Sequence, residues 1–389
     1  MDDISQFFSP VDIDGENQFP DSTMGSSIQK FLPDNPFPEL KGVHLALLGI
    51  EEDRRAMNNE GCGIGINAVR PFLYSLFRGN NKPGIIDLGN IRTGHSIKDS
   101  YFALTKVCHE LIKNKIIPIV IGGGHDLAFA MYRAYEKIEK TVNLVSIDAR
   151  FDLGGPDSEF NSQSFLGKII LHQPNILFNY SNIGYQTYFV EQKEIELFQK
   201  LFFDAYRLGQ VQTEIEESEP IIRAADMLSF DMTSIRMNDA PGNGNASPNG
   251  FYSEEACQLI RYAGLSNKLT SIGFFEMNPK LDKRGQTAHL LAQMIWYFIE
   301  GFYLRKNDFP FTKKSDYLKY RVAIKHQKHE IVFLKSKHSD RWWMEVPYPM
   351  QKRMKFERQC LVPCSYNDYK IACREEMPDR WWQTYQKLM

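Results

Sequence analysis

Four short apolar runs in this chain are each followed, within a few residues, by an acid or an imidazole. IIPIVIGGG leads to His125, VNLVSI to Asp148 and Asp152, MLSF to Asp231, and LTSIGFF to Glu276. Runs this rich in Ile, Val, Leu and Phe, with helical patterns after or between them, read as buried parallel strands. In open α/β sheets, ligands gather beyond the carboxyl ends of such strands, where loops present side chains to a shared crevice. One acid after a strand is ordinarily a helix cap or a turn residue. Several strand ends carrying carboxylates and an imidazole together read instead as a metal cradle.

The 389 residues suffice for one large α/β domain with additions, and contents of 43% hydrophobic and 24% charged residues are ordinary for a globular protein. A formal charge of -2 creates no field that would recruit nucleic acid or an acidic membrane surface. No basic segment followed by an apolar one opens the chain, and no apolar stretch is long enough to span a bilayer, so the cytoplasm is the expected compartment. The six cysteines are scattered. Cys360 and Cys364 lack a paired CxxC or a local His, which favours free thiols over a zinc site.

Residues 1 to 40 hold Pro10, Pro20, Pro33, Pro36 and Pro38 among acids and serines, a composition expected to form an arm. From 41 to 305, apolar strands alternate with helical segments such as SYFALTKVCHELIKNK and QTAHLLAQMIWYFIEGFYL. That alternation predicts a doubly wound, mostly parallel sheet with helices on both faces. RKNDFPFTKKSD then marks a boundary, and 306 to 389 form a small β-containing appendage in which KYRVAIKH and EIVFLKS alternate like hairpin strands. Within it DRWW occurs twice, at 340 to 343 and 379 to 382. Its tryptophans read either as anchors against the main domain or as a protein-partner interface.

A cation such as manganese accepts oxygen and imidazole ligands, so His125, Asp148, Asp152 and Asp231 make a plausible single site. Water held there would be acidified towards a nucleophile, and Glu276 would pair with a cationic, planar C=N group. Hydrolysis of an amidine or guanidine is the matching chemistry. Asp126 reads as an N-cap, and the glycines of NDAPGNGNASPNG at 238 to 250 lack the strand and helix context of a phosphate cradle. His95, His109 and His289 read as structural.

The blocks GGGHD at 122 to 126, SIDARFD at 146 to 152, SFDMT at 229 to 233 and FFEMNP at 274 to 279 resemble, in order, those of the ureohydrolase superfamily, which includes arginase, agmatinase and formimidoylglutamase. NNEGCGIGINAVR at 58 to 70 is similar to the family's opening loop, and NSQSFLGKII at 161 to 170 to a formimidoylglutamase segment. The resemblance implies an arginase-like fold, a cleft walled by the 238 to 250 loop, and a centre of two manganese ions. This chain keeps all four ligands for one ion, but has Arg150 where the family has His and Thr233 where it has Asp. Arg150 is therefore expected to stand in the second ion's place, paired with Asp148 or Asp231, since an added guanidinium and a lost carboxylate together offset a lost dication. Asn161 and Ser162 are candidates for the polar end of a substrate. His172 reads as a surface residue rather than a proton shuttle.

Two functions follow as expectations. One is a formimidoylglutamase-like hydrolase of linear amidines with a single manganese ion, in which Asp148, Glu276 and Arg150 carry the chemistry. The other is an inactive relative, holding one ion or none, that acts as an interaction module through its tail. A homo-oligomer or a protein partner would use that tail.

Overall fold

The apolar runs form strands, and their order across the sheet brings the four acid-bearing ends together. The structure, a computed structural model, describes residues 3–12, 19–79, 84–138, 141–155, 159–309, 314–324, 329–349 and 359–389. Its strands are β1 (Phe8–Ser9), β2 (Gln29–Lys30), β3 (Leu45–Ile50), β4 (Ile85–Ile91), β5 (Ile117–Ile121), β6 (Val142–Ile147), β7 (Leu177–Tyr185), β8 (Asp204–Arg207), β9 (Met227–Asp231) and β10 (Ser271–Phe275). They form one sheet in the order β1-β4-β3-β5-β10-β9-β6-β7-β8, with β2 added beside β4. Only β1 pairs antiparallel.

The strands β5, β10, β9 and β6 are consecutive neighbours, in a register that sets Ile121 beside Phe274, Phe275 beside Asp231 and Phe230 beside Ile147. Whatever follows these strands emerges side by side. Alternate strand residues face two cores: Leu47, Ile119, Phe230 and Ile272 one, and Leu48, Val120, Met227 and Phe275 the other. The helices Gly65–Ser75, Ser253–Leu265 and Gln286–Tyr303 cover the first, and Ile97–Lys113, Leu127–Arg133, Phe165–Leu171 and Gln192–Lys200 the second. Ile97–Lys113 shows why: a Ser96/Asp99 capping box starts it, and Tyr101, Leu104, Val107, Cys108 and Leu111 form its buried stripe.

The first 40 residues, read from their composition as an arm, lie along the edge of the main sheet. Their described part adds β1 and β2 to the edge strand β4 and buries Ile4, Phe8, Val11, Met24 and Ile28. Backbone pairing to an exposed edge and a few spaced apolar anchors outweigh the proline content.

The appendage is a separate antiparallel sheet of β11 (Tyr317–Ile324), β12 (His329–Ser336), β13 (Trp342–Glu345) and β14 (Leu361–Cys364), followed by the helices Tyr366–Cys373 and Asp379–Leu388. The expected hairpin is β11–β12; its turn, and part of the connector before β11, lie outside the described residues. Trp342, Trp343 and Trp381 are buried, whereas Trp382 is 48% exposed; Trp342 and Trp381 sit in the appendage's own core, and Trp343 meets the main domain. Arg223 of the main domain fixes the sheet: its Nη2 donates to the carbonyls of Trp342 at 3.1 Å and Cys364 at 3.2 Å, and its guanidinium lies 4.3 Å from the Trp343 ring. Cys62, Cys108, Cys257, Cys364 and Cys373 form no disulfide, and no helix among the described residues is long and apolar enough to cross a membrane.

Because Trp343 fills this junction, Trp343→Ala is expected to destabilise the protein by about 3–5 kcal/mol. Trp382→Ala is expected to change stability by no more than about 0.5 kcal/mol. Urea unfolding followed by circular dichroism distinguishes the two.

Candidate metal centre

After β5 the chain must reverse within three residues, and Gly122 and Gly123 make this possible at φ +99° and +76°. A side chain at Gly123 would meet the Glu52 carbonyl at 2.5 Å. The turn delivers His125 to the mouth of the sheet. There the imidazole is wholly buried, held between Phe165 and Phe275 with ring centroids 4.2 and 5.4 Å away. Its Nε2 bonds to the Ser229 hydroxyl, which leaves Nδ1 as the free face of the ring.

Three carboxylates meet that face. Asp148 Oδ2 and Asp152 Oδ2 each lie 3.2 Å from Nδ1, and Asp231 Oδ2 lies 3.1 Å away. Two are aimed by the backbone two residues on: the Arg150 N–H donates to Asp148 Oδ1 at 2.9 Å and the Thr233 N–H to Asp231 Oδ1 at 2.7 Å. With Oδ1 engaged, Oδ2 turns inward. Asp152 reaches the same point from a left-handed backbone at φ +51°.

The four ligand atoms all lie within 4.8 Å of one another, yet His125 Nδ1 and Asp148 Oδ2 are buried without a hydrogen-bond partner. Atoms that converge without bonding one another fit a shared cation, and one imidazole with three carboxylates suits a divalent ion of intermediate hardness. Electrostatics agree. Burial, then the charges of Asp152 and Asp231, push the Asp148 carboxyl well above its usual range, and burial also raises Asp152. Burial opposes a charged His125, but the surrounding carboxylates override it and hold the imidazole well above its ordinary value. The protein alone supplies too little positive charge here.

Glu276 follows β10 at φ +68° and is 2% exposed. Its Oε2 accepts from Asn59 Nδ2 at 2.6 Å and its Oε1 from the His125 N–H at 2.9 Å, while Asn243 Nδ2 donates to its carbonyl at 2.7 Å. Burial, and then the charge of Asp231, push its carboxyl up to about 8. Asn243 belongs to the 238–250 loop, which thereby closes against the Asn59 loop; the Gly244 N–H also donates to Asn59 Oδ1 at 2.9 Å.

Arg150 corrects an expectation. Its guanidinium does not pair with Asp148 or Asp231 but lies 4.2 Å from the centre of the Phe189 ring, while its carbonyl accepts from Asn182 at 2.7 Å. A half-buried guanidinium keeps part of its hydration over an aromatic face, which costs less than entering a dry acidic cluster. Thr233 places its hydroxyl in the buried region without a hydrogen-bond partner.

Ser162 is buried beneath the opening loop: its N–H donates to the Arg55 carbonyl and its Oγ accepts from the Met57 N–H, each at 3.0 Å. Asn161 is half-buried, and its amide closes a local turn onto the Gln163 N–H at 2.9 Å. Asp126 occupies a helix N-cap position but makes no capping bond; its carboxylate takes the Tyr101 hydroxyl, and burial pushes it up to about 6. His172 pairs with Glu136 at 2.8 Å, His109 with the Ala134 carbonyl at 2.9 Å, and His289 stacks on Phe72, all outside the cluster. Asn59, Ser229 and Asn243, which brace the centre, carried no ligand signal in the sequence; only their places in the opening loop, the SFDMT block and the 238 to 250 loop pointed towards it.

Residues 43–300 match the sequence profile of the arginase family. The chain belongs to the arginase family. It is 30% identical over 270 residues to a formimidoylglutamase from Staphylococcus epidermidis, an alignment covering 66% of this chain and 85% of that protein. A formimidoylglutamase from Lysinibacillus sphaericus is 25% identical over 256 residues, covering 62% and 79%. The fold matches that of a Trypanosoma cruzi formiminoglutamase solved with manganese, at TM-score 0.63 and 19% identity, over 69% of this chain and 96% of that one.

If Ser229 sets the proton position of His125, Ser229→Ala should weaken manganese binding about 10- to 100-fold in calorimetry. Arg150→Ala should leave that affinity within about threefold, because the guanidinium is on Phe189 rather than on the ligands.

Proposed function

We propose that this arginase-family chain is a hydrolase of linear amidines, formimidoylglutamase-like, working with a single manganese ion. Support comes from one complete set of four ligands beside Glu276, together with two formimidoylglutamases among its relatives. The overall reaction would take N-formimidoyl-glutamate and water to glutamate and formamide. A divalent ion on His125, Asp148, Asp152 and Asp231 would supply Lewis acidity that acidifies water.

The chain's own groups do the rest. Ser229 fixes the orientation of the His125 ring through Nε2, and the N–H groups of residues 150 and 233 keep Asp148 and Asp231 aimed inward. Glu276, fixed by Asn59 and the His125 N–H, still has acceptor capacity for the N–H groups of an amidinium and, with its raised pKa, can hold a proton. Asn161 is better placed than Ser162 to meet a substrate's polar end, since the Ser162 hydroxyl is already used. Arg150 serves as a nearby cation for a carboxylate.

A specific observation favours a second reading, in which the chain is catalytically silent: neither Arg150 nor Thr233 presents a carboxylate or imidazole towards Asp148 and Asp231. Formamide release by the pure protein separates the two. With manganese and N-formimidoyl-L-glutamate, turnover is expected and is lost in Asp231→Ala; Glu276→Gln should lower kcat/KM about 100-fold. Absence of formamide from folded, manganese-loaded protein would refute the hydrolase. The double variant Arg150→His/Thr233→Asp should raise bound manganese towards two ions per chain and increase turnover.

A further inference from the structure

At the opposite, amino ends of the same four central strands lies a cavity of about 570 Å3. Ile117 opens β5, while Thr141, Asp226 and Thr270 immediately precede β6, β9 and β10, so the cavity sits a strand's length from the metal ligands. Its wall is apolar where Ile116, Ile138 and Leu269 contribute. Its size is that of a small-molecule site rather than a packing defect.

The charge around it is one-sided. Lys113, Lys115 and Lys137 line it, are exposed, and make no ion pair among the described residues. Arg305 adds a fourth cation: its Nε donates to the Gly264 carbonyl at 2.8 Å and its plane lies 4.6 Å from the Phe302 ring, but its Nη2 is closed to water and has no hydrogen-bond partner. Burial, with Arg341 nearby, pushes that guanidinium down to about 9. Asp226, the one acid among the described lining residues, accepts from the Asn143 N–H at 3.0 Å and pairs with Lys268 at 3.3 Å. The Tyr135 hydroxyl is likewise engaged, by Thr270 and Ser271 at 2.8 Å each. Among the described lining residues, Arg305 Nη2 is the buried side-chain polar atom left without a hydrogen-bond partner.

We propose that this cavity binds a small amphipathic carboxylate, its apolar tail on Ile116, Ile138 and Leu269 and its head among Lys113, Lys137 and Arg305. An anion there would neutralise part of an uncompensated positive cluster and give the buried guanidinium an acceptor. The tail accounts for the apolar wall, which a bare inorganic anion would leave unused. The site is independent of the proposed hydrolase chemistry.

Calorimetric titration of the full chain with octanoate tests this, with 1-octanol as the neutral probe. Octanoate is expected to bind at one site per chain and 1-octanol at least about tenfold more weakly. The double variant Lys113→Glu/Lys137→Glu changes only exposed side chains and should weaken octanoate by about tenfold or more. EDTA should leave the affinity unchanged. Absence of octanoate binding, equal binding of 1-octanol, or indifference to the charge reversal would overturn the proposal. So would loss of binding in EDTA, which would place the carboxylate on a cation at the metal centre.

Discussion

Three carboxylates crowd one imidazole nitrogen at 3.1 to 3.2 Å in a region closed to water, and no lysine or arginine side chain among the described residues pairs with them. Like charges so close, away from solvent, are unfavourable unless a cation or protons compensate them. Much of the central fold serves to hold this unfavourable arrangement in place. Four neighbouring parallel strands bring the ends level, left-handed residues turn Asp152 and Glu276 inward, and backbone N–H groups restrain the outer oxygens of Asp148 and Asp231. Such strain is tolerable because the surrounding sheet, with its two cores, over-determines it.

The positions that differ from the family pattern have consequences that charge counting alone misjudged. On formal charge, Arg150 could replace a second ion; in space its side chain lies on Phe189. What residues 150 and 233 supply to the centre is their backbone N–H, which any non-proline residue can offer. That explains how both side chains can change while the ligands of one ion stay aimed. It also leaves the His125 imidazole as the counter-charge closest to the cluster, one group against three carboxylates.

Much of this was legible in the chain itself. Apolar runs ending in acids announced parallel strands, and the meeting of His125, Asp148, Asp152 and Asp231 at one point followed from their places just past those runs. The direction of Arg150 was not legible, because it depends on Phe189, which lies across the sheet mouth and 39 positions on. The braces Asn59, Ser229 and Asn243 were hidden for the same reason: each acts through a contact between distant segments. At the amino terminus composition did not reveal where the arm attaches, because β1 and β2 gain from pairing with β4 what the local sequence does not show. The tryptophans of the tail were ambiguous until burial separated Trp343 and Trp381 from Trp382.

The central claim is that one cation, and only one, belongs on His125, Asp148, Asp152 and Asp231. Anomalous diffraction from crystals grown in manganese tests it most directly. A single full peak among those four side chains, with the Arg150 guanidinium on Phe189, is the predicted result; two full peaks bridged by Asp148 and Asp231, or no peak at all, would contradict it.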